Sequence, residues 1–160
     1  MNNLRTGLGT DLHALVPGGK PILLGGIGFK HPEGLGIKAH SDGDTLLHAL
    51  IDAILGACGM DDIGTHFPDS ESRFKDASSF SLLAETLKKC QCSICNVDIV
   101  VHCEYPRLGG RKQEIRTILS AALGVEFDRV NIKGKSLEGL DIFGKGQQAI
   151  YVIATVLLTV

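Results

Sequence analysis

The sequence has no tryptophan, and aromatic residues make up only 5% of its 160 positions. Aliphatic side chains must therefore build the core, and strands this rich in them suit an oligomer that buries sheet faces. A surplus of one charge is also missing. Lys and Arg number 16 against 18 Asp and Glu, a formal net charge of −2. That balance argues against a general nucleic-acid binder, which carries a basic surplus or stripe. Disorder is excluded as well, because 44% of the residues are hydrophobic. No apolar run approaches the roughly 20 residues of a membrane helix. The longest, residues 149–160, is better read as a buried strand from its Val, Ile and Thr content. Five cysteines (Cys58, Cys90, Cys92, Cys95, Cys103) form no even-numbered framework, and no apolar leader follows Met1. Reduced thiols and a cytoplasmic location are expected.

What is present is a regular alternation of elements. No repeat or linker interrupts the chain, so residues 1–160 read as one domain. Strands are expected at residues 4–10, 21–29, 94–103 and 130–133 and from about 147 to the end. Helices are expected at 44–58, 79–90 and 111–123, the last stopped by Gly124. Ser41 or Asp42 is the expected cap of the first helix. Residues 31–43, 59–75 and 134–146 read as loops. The pattern is that of a mixed α/β (α+β layered) domain.

Four clusters could carry chemistry. Asp11 and His13 are two apart at the end of an extended segment, so they share a side and could converge on a divalent metal. Taken alone the pair is a weak signal, and two surface residues brought together by chance are the bland explanation. Asp44, His48 and Asp52 recur every four residues on one helix face. A solvated face is the bland explanation. Joined to Asp11 and His13, His48 would complete three ligands with an open fourth position, the pattern of a catalytic zinc site. Asp44 and Asp52 would then orient ligands or fix loops. Asp61-Asp62-Ile63-Gly64 and Phe67-Pro68-Asp69 are either ordinary turns or carboxylates that recognise hydroxyls. Lys133 to Glu138 is either a solvated loop or a small-residue backbone for a phosphate or base, with Glu138 able to hold a hard cation. Two matches are set aside. Gly139 to Lys145 has phosphate-loop spacing, but Gly146 stands where Ser or Thr would ligate Mg²⁺. Cys92 and Cys95 form one C-x-x-C with no second pair.

Taken in order, these segments resemble the 2-C-methyl-D-erythritol 2,4-cyclodiphosphate synthase family. The resemblance rests on Arg5-Thr6-Gly7-Leu8-Gly9-Thr10-Asp11-Leu12-His13, on Ala39-His40-Ser41-Asp42-Gly43-Asp44 with His48, on Asp62-Ile63-Gly64 with Phe67-Pro68-Asp69, on Asn96-Val97-Asp98, and on Val130-Asn131-Ile132-Lys133 through Glu138. It covers nearly the whole chain.

The resemblance implies a homotrimer with helices on one side of each mixed sheet, the sheets facing the centre, and active sites at the subunit interfaces. Asp11, His13 and His48 would ligate Zn²⁺. His40 and Ser41 would meet the substrate's phosphates, and with Asp62 and Glu138 they form the implied catalytic set. Asp62 and Gly64 would touch hydroxyls, with Asp69 nearby and Lys75 adding a phosphate contact. Glu138 from a neighbouring subunit would hold Mg²⁺ or Mn²⁺. Cys103, Pro106, Arg107 and Leu108, with Gly134, Lys135 and Ser136, would build a cytidine pocket. The implied reaction is attack of the 2-phosphate of 4-diphosphocytidyl-2-C-methyl-D-erythritol 2-phosphate on the β-phosphorus, with release of CMP. Lys135-Ser136 replaces a common Thr pair, Arg107 a common Lys, and Lys145 and Gln147 a common Arg and Glu near the trimer's central channel. A zinc phosphohydrolase and a trimeric metal-stabilised binding protein are the competing expectations.

Overall fold

The computed structural model describes residues 3–68, 70, 71, 74, 77–142, 144 and 146–160. Asp69, Lys75 and Lys145 lie outside the described residues. Strand β1 (Leu4–Pro17) is followed by β2 (Ile22–Leu24), β3 (Ile27–Phe29), β4 (Leu35–Ile37) and helix α1 (Thr45–Ala57). Then come α2 (Ile63–His66), α3 (Ser79–Cys90), β5 (Ser93–His102), α4 (Lys112–Leu123), β6 (Val130–Lys135) and β7 (Ala149–Thr159). Five strands form a mixed sheet in the order β4-β1-β7-β5-β6, with β2 and β3 a separate hairpin. Among the described residues, only β5 and β6 pair in parallel. The last strand thus sits at the centre, pairing antiparallel with β1 from Leu4↔Thr159 to Ala14↔Ala149 and with β5 on its other side.

Alternation decides the sheet's two faces. Ile150, Val152, Ala154, Val156 and Leu158 of β7 and Val97, Ile99 and Val101 of β5 are buried beneath the helices. On β1 the residues facing α1 are Gly7 and Gly9, then Asp11 and His13. A Cβ at Gly7 would meet Ala53 O at 1.8 Å, and one at Gly9 would meet Ala49 O at 2.1 Å. Two glycines therefore let strand and helix backbones touch, and the side chains beyond them meet the same helix. On the opposite face of β1, Leu4, Leu8 and Leu12 are exposed. Helix α1 is hydrophobic nearly all round, with Leu46, Leu47, Leu50, Ile51, Ile54 and Leu55 fully buried.

The layered α/β expectation stands, but several boundaries change. β1 runs seven residues beyond Thr10, to Pro17, because β4 and β7 pair with its second half. A short strand, β4, lies inside the expected loop 31–43, and one helical turn, α2, lies inside 59–75. β6 continues to Lys135, so Gly134 and Lys135 are strand residues paired with Val101 and His102 and not loop residues. Neither Ser41 nor Asp42 caps α1. Asp44 does so, accepting from Leu47 N at 3.1 Å, while its carboxylate also takes the amides of Gly25 (2.9 Å) and Gly26 (2.6 Å). Asp44 is buried, and burial pushes its pKa up despite these three donors. No described helix is long and apolar enough to cross a membrane.

Candidate active site

The first strand and the first long helix deliver the central cluster. Asp11 and His13 project from β1 on the side that the glycines press against α1. His48, one turn into α1, meets them. His13 Nε2 and His48 Nδ1 each stand 3.2 Å from Asp11 Oδ2. One ligating atom from each residue lies within 4.8 Å of the other two, and no other group of three or more such side chains occurs among the described residues. The two imidazoles are set edge to face, centroids 5.8 Å apart. His13 Nδ1 donates to Lys38 O at 3.1 Å, which leaves Nε2 with its lone pair. Asp11 Oδ2 and His13 Nε2 are both buried and have no hydrogen-bond partner. Two acceptors facing each other at this distance repel unless positive charge lies between them. An N₂O donor set of this kind suits zinc, with a fourth position open to the cavity. Burial works to raise the Asp11 carboxyl, but the two imidazoles outweigh it and hold its pKa at about 2. Burial opposes charge on His13 as well, yet Asp11 and the Lys38 carbonyl raise its pKa above 6.5.

The cluster opens into a cavity of about 440 Å³ walled by His40, Ser41, Gly64 and Phe67 among others. Two devices fix this wall. Lys20 Nζ donates to the carbonyls of His40 (2.8 Å) and Ser41 (2.6 Å). Asp52 Oδ1 accepts from Ile63 N at 2.7 Å, which ties α2, and Gly64 within it, to the helix that carries His48. Asp44 and Asp52 thus both fix loops. Asp62 is exposed and caps α2, accepting from Thr65 N at 2.8 Å. That amide, followed by the Thr65 hydroxyl, lowers its pKa.

A separate cavity of about 220 Å³ gathers Cys103, Pro106, Arg107, Leu108, Gly134 and Lys135. Ser136 does not line it; its hydroxyl bonds to Glu138 Oε1. Glu138 is exposed, takes a left-handed φ of 52°, and is not part of the Asp11 cluster. Glu104 accepts from Leu137 N (2.8 Å) and Gly139 N (3.1 Å), so it frames Glu138 from both sides. All five cysteines are free. Burial pushes the Cys90 and Cys103 thiols up to about 12 and Cys92 to about 11. These three thiols are thus held protonated, which makes them poor metal ligands and nucleophiles.

The sequence profile of the YgbB family matches residues 4–159. The chain belongs to the YgbB family. A 2-C-methyl-D-erythritol 2,4-cyclodiphosphate synthase of Verminephrobacter eiseniae is 45% identical over 146 residues, 89% of this chain and 79% of that protein. Among solved structures, the bifunctional IspDF from Campylobacter jejuni superposes with a TM-score of 0.89 at 36% identity. The match takes in 99% of this chain but 43% of that longer protein. A CDP-bound 2C-methyl-D-erythritol-2,4-cyclodiphosphate synthase gives a TM-score of 0.86 at 32% identity, covering 96% of this chain and 99% of that one.

In this YgbB-family chain, sequence reasoning found every member of the Asp11 cluster but missed what holds it. Lys20, Lys38 and Ser79 make the contacts that orient the cluster and its wall, and Glu104 those that frame Glu138. None sits in a recognisable pattern. Asp42 was visible in the sequence but was given the wrong partner: it reaches α3, accepting from Ser79 N at 2.7 Å.

Proposed function

We propose that the protein converts 4-diphosphocytidyl-2-C-methyl-D-erythritol 2-phosphate into 2-C-methyl-D-erythritol 2,4-cyclodiphosphate and CMP, as a phosphorus–oxygen lyase of non-mevalonate isoprenoid biosynthesis. The carrying observation is the Asp11–His13–His48 cluster, with two unpaired buried acceptors, in a chain matched to the family from end to end. A new bond forms between a 2-phosphate oxygen and the β-phosphorus. The bond from the β-phosphorus to the oxygen of CMP breaks, and that oxygen leaves with CMP. Both partners are anions, so catalysis needs alignment and charge neutralisation and no protein nucleophile.

Asp11, His13 and His48 would hold Zn²⁺, which would supply Lewis-acid charge for the β-phosphate. His40 and Ser41 meet the phosphates on a loop whose carbonyls Lys20 has tied down. Gly64 presents backbone to the erythritol hydroxyls, and Asp62 accepts from them, with Asp69 and Lys75 assigned to the same pocket. The Cys103, Pro106, Arg107, Leu108, Gly134 and Lys135 cavity takes the cytosine nucleoside, with Ser136 at its edge. Glu138, which is not grouped with this chain's own cluster, is assigned to the site of a neighbouring subunit, where it would hold Mg²⁺ or Mn²⁺ and so supply positive charge for the diphosphate. The assembly is a homotrimer of single-domain subunits whose uncovered faces, with Leu4, Leu8 and Leu12, turn to the centre. The setting is cytoplasmic.

Phosphorus NMR of the purified protein with substrate, Zn²⁺ and Mg²⁺ tests this directly. Equimolar CMP and cyclic diphosphate are expected. An open-chain product would point to hydrolysis, and absence of turnover with zinc bound would point to a binding role. His48→Ala should lose zinc and turnover and still elute at the wild-type oligomeric size.

A further inference from the structure

His48 has two ring nitrogens, and only the bare one can bind a cation. Nδ1 faces Asp11 Oδ2, while Nε2 lies 3.0 Å from Ser79 Oγ and 3.4 Å from Ser41 Oγ. Which nitrogen carries the proton depends on what Ser79 can offer. Its hydroxyl has a single hydrogen, and Oγ makes a very short contact with Asp42 Oδ1. A carboxylate only accepts, so that hydrogen goes to Asp42. Ser79 Oγ therefore shows His48 a lone pair, and Nε2–H donates to it. Nδ1 is left bare, aimed at Asp11.

The chain of contacts is rigid at each link. Ser79 is fully buried and opens the 12-residue helix α3, so its position is set by that helix. Asp42 also takes the Ser79 amide at 2.7 Å and the Asp44 amide at 3.2 Å, so it cannot swing away. His13 is fixed in the opposite tautomer by the Lys38 carbonyl. Two unrelated acceptors thus turn two bare nitrogens onto one carboxylate oxygen. Ser41 Oγ accepts from Gly43 N at 3.2 Å, which leaves its own hydrogen for an anionic ligand.

We propose that Asp42 and Ser79 are positioning residues that lock His48 in the Nε2–H tautomer and so set the strength of the metal site. This rests on the zinc assignment above and reaches beyond the ligands to α3. The partners of metal-bound histidines typically change affinity by roughly 10-fold to 100-fold when removed.

The test uses the full chain, first without metal. Nitrogen NMR of histidine-labelled protein at alkaline pH, where both imidazoles are neutral, should show His48 protonated on Nε2 and His13 on Nδ1. Ser79→Ala should mix the His48 tautomers and leave His13 unchanged. Zinc affinity, measured by chelator competition, should fall roughly 10-fold to 100-fold in Ser79→Ala. Ser79→Thr should restore both readouts, which a general loosening of α3 would not do. His48 found protonated on Nδ1 in the wild-type protein overturns the proposal even if no variant folds. So does a Ser79→Ala variant with unchanged tautomer and zinc affinity. A wild-type protein that binds no zinc but shows the Nε2–H tautomer sinks the zinc assignment and leaves the hydrogen-bond relay standing.

Discussion

Replacing Gly9 with alanine should damage the metal site from two residues away. The added Cβ would lie 2.1 Å from Ala49 O and 2.4 Å from Ala53 N, both backbone atoms of α1. Ordinary contact begins at 3.4 Å, so strand and helix must part by about 1 Å. No flexible side chain can absorb this. Forced overpacking of this kind typically costs about 1–3 kcal/mol. In a chain of this length that is a drop of roughly 2–12 °C in Tm. The functional consequence is sharper. Asp11 and His13 ride on the displaced strand and His48 on the helix, whereas metal–ligand distances tolerate only about 0.2 Å. Zinc affinity should fall at least about tenfold. Differential scanning calorimetry and chelator competition on Gly9→Ala supply the two numbers. Gly28→Ala, which meets nothing within 4 Å, is the control. A Gly9→Ala protein with wild-type Tm and zinc affinity would refute the claim that backbone contact between β1 and α1 sets the ligand spacing.

Asp11 gives the metal-free protein an acid limb. Its folded pKa of about 2 lies below the usual 3.8, so its contribution is present above pH 3.8 and disappears as pH falls toward 2. The shift corresponds to about 2 kcal/mol, and urea titrations of Asp11→Asn between pH 4 and 2 should be flatter by that amount. His13 has the opposite sign: its raised pKa adds stability below 6.5 that is lost as pH rises through the folded value. Asp44→Ala strands three backbone donors and should lose about 2–4 kcal/mol in urea unfolding. The raised pKa of Asp44 shows a burial penalty working the other way, so a gain in stability would mean that penalty dominates. Lys20→Met keeps the stem but frees the His40 and Ser41 carbonyls. KM should rise about tenfold with zinc affinity unchanged, and an unaltered KM would show that the loop needs no tether.

How legible the site was depended on how local each signal is. Asp11, His13 and His48 were readable because strand and helix periodicity alone put them on predictable sides. α3 was readable to the residue from its apolar spacing and β-rich follower. The second half of β1 was not, because its pairing partners lie far along the chain and Gly7 and Gly9 read as flexibility when they serve close approach. β4 is three residues beside Gly34 and Pro32, too short for any alternation to register. Gly134 and Lys135 read as loop because an edge strand tolerates glycine and polar residues. Ser79 lies 31 residues from His48, and only the packing of α3 beside α1 unites them. Capping of α1 went to the wrong residue because Ser41, Asp42 and Asp44 are all competent caps, and the Gly25–Gly26 turn, invisible in the local sequence, makes the choice.

The position of β7 bears on how the protein is made. The sheet's central strand is the last to be synthesised, and it alone joins β1 to β5. Asp11 and His13 emerge early but cannot be held in register until residues 149–159 arrive. Folding should be slow and dominated by a single long-range closure. That closure brings Val160 N to 3.3 Å from Asn3 O. Asn3 and Val160 are neighbours in space. A circular permutant that joins them through a short linker and opens an exposed loop would turn the slowest contact into a local hairpin.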